Sequence, residues 1–262
     1  MLARLGANAR VVAALGKRSV KQTLRRPQLF APIIIFPTLL LAIQTGGAGR
    51  GIELEGFPEV DGFLDFMLAG SMVQACLLAG NSGGIALAVD LEMGFTDRLF
   101  AAPISRFAVV VGRLAGTAAL GVVTAVWFIA IGLIFGAEFK EGLAGMLLMV
   151  LFVSASAVAF GGIGAAIALR TGTASVVQGL FPLVFVILFL SNAFFPANLM
   201  LEPAGSVAEY NPLSFIVDGV RDLVISTFSA AQFFEGVAAL ALMGLFGIGL
   251  SAAAMRGRLR RG

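Results

Sequence analysis

The sequence predicts an all-α membrane protein with six transmembrane helices, and three observations carry that expectation. The first is composition. Of 262 residues, 59% are hydrophobic and 13% charged, whereas a water-soluble domain carries about a quarter charged residues. The second is a series of long apolar stretches, at about residues 28–44, 63–89, 107–135, 143–169, 176–195 and 233–255. A helix crossing about 30 Å of hydrocarbon needs roughly 20 such residues, and barrel strands would be half as long with alternating polarity. The third is charge sorting. With the N-terminus inside, the inner side receives all of the 18 Lys and Arg except Arg50, Lys140 and Arg221, the bias that orients membrane helices. The acidic residues gather outside, apart from Asp90, Glu92 and Asp97.

Composition also excludes chemistry. His is absent and Cys76 is the single cysteine, so a His/Cys zinc site, an intrachain disulfide and any His-dependent triad or relay are ruled out. The spans lack central ionisable residues, which argues against proton coupling.

The elements follow in order. Before the first span, Arg10, Lys17, Lys21 and Arg25 fall on one helical stripe, and Leu5, Ala9, Val12, Ala13 and Val20 face away. Such a helix either anchors topology or lies in the inner interface on anionic headgroups. The first span is short and carries Pro32 and Pro37, which predicts a bent or partly unwound helix. Between the second and third spans, Leu91, Phe95 and Leu99 recur every four residues and Pro103 stops the pattern. This predicts a short inner helix over about 90–103 whose apolar stripe needs a cover. The membrane surface, the N-terminal helix and a partner protein all qualify. After the fifth span, Asn211 is placed to cap a helix with Pro212 at its first position. Leu213, Ile216, Val220 and Val224 form one face of that helix, and Asp218, Arg221 and Asp222 form the other.

Within the spans, Ser71, Gln74, Asn81 and Ser82 lie near one face of the second helix, and Gln178 stands in the fifth. Polar groups in hydrocarbon need partners, so these residues either line a route or hydrogen-bond between helices. Arg113 is expected to snorkel to the inner interface. The glycines Gly80, Gly83, Gly84, Gly112, Gly116, Gly161, Gly162, Gly164, Gly244, Gly247 and Gly249 allow helices to approach closely, within one chain or across a pair.

Three segments resemble the permease subunits of type-2 ABC exporters, in particular the daunorubicin-resistance-like branch. Glu92 followed by Arg98-Leu-Phe-Ala-Ala-Pro-Ile-Ser-Arg106 is similar to the first inner connection of that family. Phe194-Phe-Pro196, then Asn211-Pro-Leu213 and Arg221, is similar to its last outer loop. A basic amphipathic helix precedes six spans, as in the family.

The resemblance implies an interfacial helix over 1–27, a permease domain over 28–255 with outer re-entrant helices at about 197–228, and a basic tail over 256–262. It implies a cytoplasmic coupling helix at 90–103 in which Glu92, Phe95, Thr96, Arg98, Leu99 and Phe100 seat on a separate ATP-binding subunit. It further implies an outer gate region at Phe194, Phe195, Pro196, Asn211 and Pro212. The expected assembly has two permeases, a homodimer or a related pair, and two ATPase subunits in a cell membrane, with both termini cytoplasmic. ATP and Mg²⁺ would be held by the partner, since no phosphate-loop motif stands in this sequence. The Phe-rich interior suggests a hydrophobic or amphipathic cargo, such as a drug-like natural product or a lipid. The alternative is a secondary transporter or channel that works alone, which the absence of an evident inverted repeat disfavours.

Overall fold

The computed structural model describes residues 2–25, 27–95, 106–224 and 229–259, and among them there is no strand. The helices are α1 (Leu2–Leu24), α2 (Pro27–Ala48), α3 (Phe63–Glu92), α4 (Arg106–Ile134), α5 (Gly142–Thr171), α6 (Ala174–Gly179), α7 (Phe181–Phe189), α8 (Ala204–Tyr210), α9 (Pro212–Asp222) and α10 (Ala230–Leu259). Five of them, α2, α3, α4, α5 and α10, are long and apolar enough to cross a membrane.

Helix α3 is the hub. In its most apolar window 94% of residues are buried inside the molecule, against 17% for α2 and for α10. It packs on α2, α4, α5, α6, α7 and α9, while α10 closes against α5 and α9 and α1 lies along α4. Small residues set these distances. A Cβ on Gly84 would stand 2.8 Å from the Gly164 backbone, and one on Gly247 would stand 3.1 Å from the nitrogen of Ile163. Neither site admits a side chain without parting the helices. Most of the glycines singled out in the sequence are therefore used inside the subunit. Gly244 and Gly249 are the exceptions, with open space in front of them.

Three expectations change. Pro32 and Pro37 sit inside a helix that runs unbroken from Pro27 to Ala48. The Thr38 hydroxyl donates to the carbonyl of Ile34 at 2.7 Å and accepts from Trp127 Nε1 at 2.9 Å, local support of the kind that lets prolines persist in membrane helices. The stretch 176–195 is not one helix. It divides at Leu180 into α6 and α7, because Gly179 is a weak helix former and Pro182, in the first turn of α7, offers no N–H to the turn before it. Together the two reach only from Ala174 to Phe189.

Helix α1 meets α4 through Val12, Leu15, Gly16 and Ser19 rather than through Ala9 and Ala13, which are exposed. Gly112 and Gly116 of α4 give the room for this contact, since a Cβ on either would run into Leu15 or Ser19. Finally, α3 continues to Glu92, so Asp90, Leu91 and Glu92 belong to the span itself. Leu91 is buried with Leu87, Val110 and Leu169. The stripe Leu91, Phe95 and Leu99 is interrupted by a turn at Met93 and Gly94, where φ of +67° favours glycine.

Candidate functional site

Two polar clusters occupy opposite ends of α3. At its C-terminal end, Asp90 is 2% exposed and pairs with Arg113 of α4 at 2.5 Å. Arg113 also donates to the carbonyl of Ala86 at 2.8 Å and to Gln22 Oε1 of α1 at 3.2 Å. The Ser19 hydroxyl of α1 donates to the Arg113 carbonyl at 2.9 Å. Desolvation of an ion pair so deeply placed opposes its Coulomb attraction, and the bonds to Ala86 and Gln22 offset part of that cost. Arg113 thus ties α1, α3 and α4 together.

The next residues extend the tie. Past the turn at Gly94, the Phe95 ring lies under the Arg18 guanidinium of α1 at 3.8 Å. Glu92 Oε1 accepts the backbone N–H of Ala174 at 2.8 Å, at the start of α6. That satisfies one of the four unpaired donors at a helix N-terminus. Of the six residues predicted to couple to an ATPase, Glu92 and Phe95 therefore stand in this cluster. Thr96, Arg98, Leu99 and Phe100 lie outside the described residues. The sequence reading missed Arg18, Gln22, Asp90 and Arg113 as one unit. Its available signal was a carboxylate and a guanidinium at matching depths in consecutive antiparallel spans.

Midway along α3, Ser71 and Gln74 are 1% and 0% exposed, and neither their hydroxyl nor their amide has a hydrogen-bond partner among the described residues. Burying an unpaired amide in hydrocarbon is costly. Asn81 and Ser82 are half-buried about two turns beyond Gln74, and Gln178 is exposed on α6. The structure thus brings Ser71 and Gln74 into the interior and leaves Gln178 apart from them.

The other cluster joins the loop after α7 to α9. Asn211 does cap α9, accepting the Leu213 N–H at 2.9 Å. Its amide also donates to the carbonyls of Ile187 and Leu190 at 2.8 and 2.9 Å, which stitches the end of α7 to the start of α9. Phe194 is buried, Phe195 exposed, Pro196 buried and Pro212 exposed.

The apolar face of α9 is buried as expected, but the opposite face is not a solvated one. Arg221 is 8% and Asp222 2% exposed. Arg221 donates to Asp218 at 2.7 Å and to the carbonyl of Asn192 at 2.9 Å, and it stacks 4.0 Å over Phe66. Asn192 in turn donates to both oxygens of Asp218 at 2.8 Å. Asp222 accepts the N–H of Ser229 just before α10. Burial pushes the Arg221 guanidinium below its ordinary value and Asp218 pulls it back up, so the pair stands or falls together. A cavity of about 310 Å³ opens beside these residues, with Glu59, Pro196 and Gln232 on its rim.

Buried charged residues thus tie both ends of the hub helix to its neighbours. The profile of the family described as "ABC-2 type transporter" matches residues 10–225. The chain belongs to the ABC-2 type transporter family. It is 28% identical over 211 residues to the daunorubicin resistance ABC transporter permease protein DrrB1 of Streptomyces coeruleorubidus, covering 77% of this chain and 70% of that protein. It is 26% identical over 222 residues to the putative transport permease ycf38 of Pyropia yezoensis, covering 82% and 74%. The Porphyra purpurea counterpart is 25% identical over 221 residues. This ABC-2 subunit is an integral membrane component of an ABC transporter, and the match takes in α3, both polar clusters and most of α1.

Proposed function

We propose that this chain is the permease half of an ATP-driven exporter, with α6 and α7 together making a sixth crossing and both termini in the cytoplasm. Two copies pair to enclose the route, and two ATP-binding subunits that hold ATP and Mg²⁺ drive it. The segment from Glu92 through Phe95, Thr96, Arg98 and Leu99 to Phe100 receives the ATPase. Ser71 and Gln74, continued by Asn81 and Ser82, line the route, and Gln178 joins them across the pair. Phe194, Phe195, Pro196, Asn211 and Pro212 form the outer gate region. The cargo is a hydrophobic or amphipathic compound, in keeping with the daunorubicin resistance for which the Streptomyces relative is named.

The observation that supports this most is the tie at the inner end of α3. Through Asp90, Glu92 and Phe95, the entry to the connection is bonded to α4, α6 and α1. A push on that connection is carried to three helices at once, whereas a free loop would absorb it. Ser71 and Gln74, buried without hydrogen-bond partners among the described residues, fit a route seen closed, because opening would let water reach them.

The test is transport into inverted vesicles that contain this chain and its copurified ATPase. Phe95→Ala, which keeps the backbone and removes the ring, should lower ATP-driven transport at least tenfold while the ATPase still copurifies. Transport at the parental rate would end the coupling assignment. Cargo flux through vesicles holding this chain alone would replace the proposal with an autonomous carrier.

A further inference from the structure

Helices α4, α5 and α10 enclose a groove of about 530 Å³ that neither polar cluster touches. Its floor is small, with Ala115 and Ala118 of α4, Ala159 and Gly162 of α5, and Gly244 of α10; Ile248 and Met255 stand along its side. The hydroxyl of Ser251, which also lines it, donates to the Gly162 carbonyl at 3.0 Å. The groove therefore presents no free polar group of its own and suits a linear hydrocarbon better than polar cargo.

Its depth is comparable to one leaflet. The lining residues fall in the first half of α4, the second half of α5 and mainly the second half of α10. The lining runs about 22 Å along α10, from Leu240 to Met255, but only about 12 Å along α4 and about 10 Å along α5, against roughly 15 Å of hydrocarbon in half a bilayer. The charge at the mouth is one-sided. Met255 is followed by Arg256, which is exposed, and then by Arg258, Arg260 and Arg261 in the sequence. Helix α1 runs alongside, with Gly16 against Ala115, and exposes Arg10, Lys17 and Lys21. The described carboxylates at this end are already engaged, Asp90 by Arg113 and Glu92 by Ala174.

We propose that this groove holds an acyl chain of an anionic glycerophospholipid, with its phosphate at Arg256. Basic residues near a membrane surface draw anionic headgroups, and the groove converts that diffuse attraction into a site. Gly244 offers a clean probe. A Cβ there would meet only Ala159, at 3.9 Å, so a larger side chain enters the groove without parting helices. One at Gly249 meets nothing and lies outside the groove.

The experiment measures the lipid retained by the full chain, purified in mild detergent from bilayers of equimolar phosphatidylglycerol and phosphatidylcholine. The parent should retain phosphatidylglycerol in roughly fivefold preference, the factor that one arginine–headgroup contact supplies. Gly244→Leu should lose the retained lipid, and Gly249→Leu should keep it. Arg256→Glu should retain lipid with the preference gone. Equal retention of the two lipids by the parent would overturn the proposal, as would a loss in Gly249→Leu equal to that in Gly244→Leu. A change from dimer to monomer in Gly244→Leu, with lipid unchanged, would instead assign the groove to a second copy of the chain.

Discussion

The two ends of α3 carry similar residues put to different uses. At its C-terminal end, Asp90 and Arg113 join consecutive helices, Gln22 and Ser19 bring in α1 from far earlier in the chain, and Glu92 reaches α6. At the other end, Asn192, Asp218, Arg221 and Asn211 come from neighbouring parts of one hairpin, from α7 to α9, resting on Phe66. Bonds that span distant segments pass displacement from one to the next. Bonds that close on their own neighbourhood hold a cap in shape. On the function proposed above, the first cluster serves as a joint and the second as a lid, although each pairs a buried guanidinium with a carboxylate.

Three substitutions press on that contrast. The largest effect should come from Arg113→Met, which leaves Asp90 buried without its cation. Removing one member of a buried pair destabilises by about 3–5 kcal/mol, read as a fall in melting temperature in detergent. Asp90→Asn combined with Arg113→Met should recover most of that loss, yet not ATP-driven transport, if the pair is a joint. Recovery of both would reduce the inner cluster to packing.

A smaller effect is expected of Asn211→Ala. It removes a helix cap and leaves two carbonyls unmatched, for about 2 kcal/mol. Limited proteolysis should then cut between α7 and α9 sooner, while ATPase copurification stays unchanged. Weakened ATPase binding would break the separation of the two ends. The smallest change in stability, under about 1 kcal/mol, should follow Glu92→Gln, because that carboxylate is exposed. Coupled transport, measured as cargo moved per ATP hydrolysed, should nevertheless drop, since the link to α6 weakens.

Much of the fold was legible in particular residues. The stretch over 63–89 was so apolar that a span was expected there, and the helix runs on to Glu92. Asn211-Pro212 announced the start of α9, because a capping amide followed by a residue without an N–H matches the first turn of a helix. The break at Leu180 was less legible. Gly179 and Pro182 lie inside a run of apolar residues whose hydropathy outweighs them in any window. The roles of Arg113 and Arg221 were hidden more deeply. Each reads as a surface cation from its neighbours in the chain, and each is buried by a partner, Asp90 or Asp218, whose side chain must be aimed before the pair exists. Gln74 was marked as polar in a span, but nothing in its sequence neighbourhood said that it would be enclosed and unmatched.

The sequence by itself determined the solvent, the helical class and the sites of five long spans, because those follow from how many consecutive residues can lie in hydrocarbon and where glycine, proline and asparagine interrupt them. Only the tertiary structure decided which charges meet, which glycines touch backbone and which face of α1 is covered. Those outcomes depend on distances between helices, and such distances are set by all the packed side chains jointly rather than by any one stretch of chain.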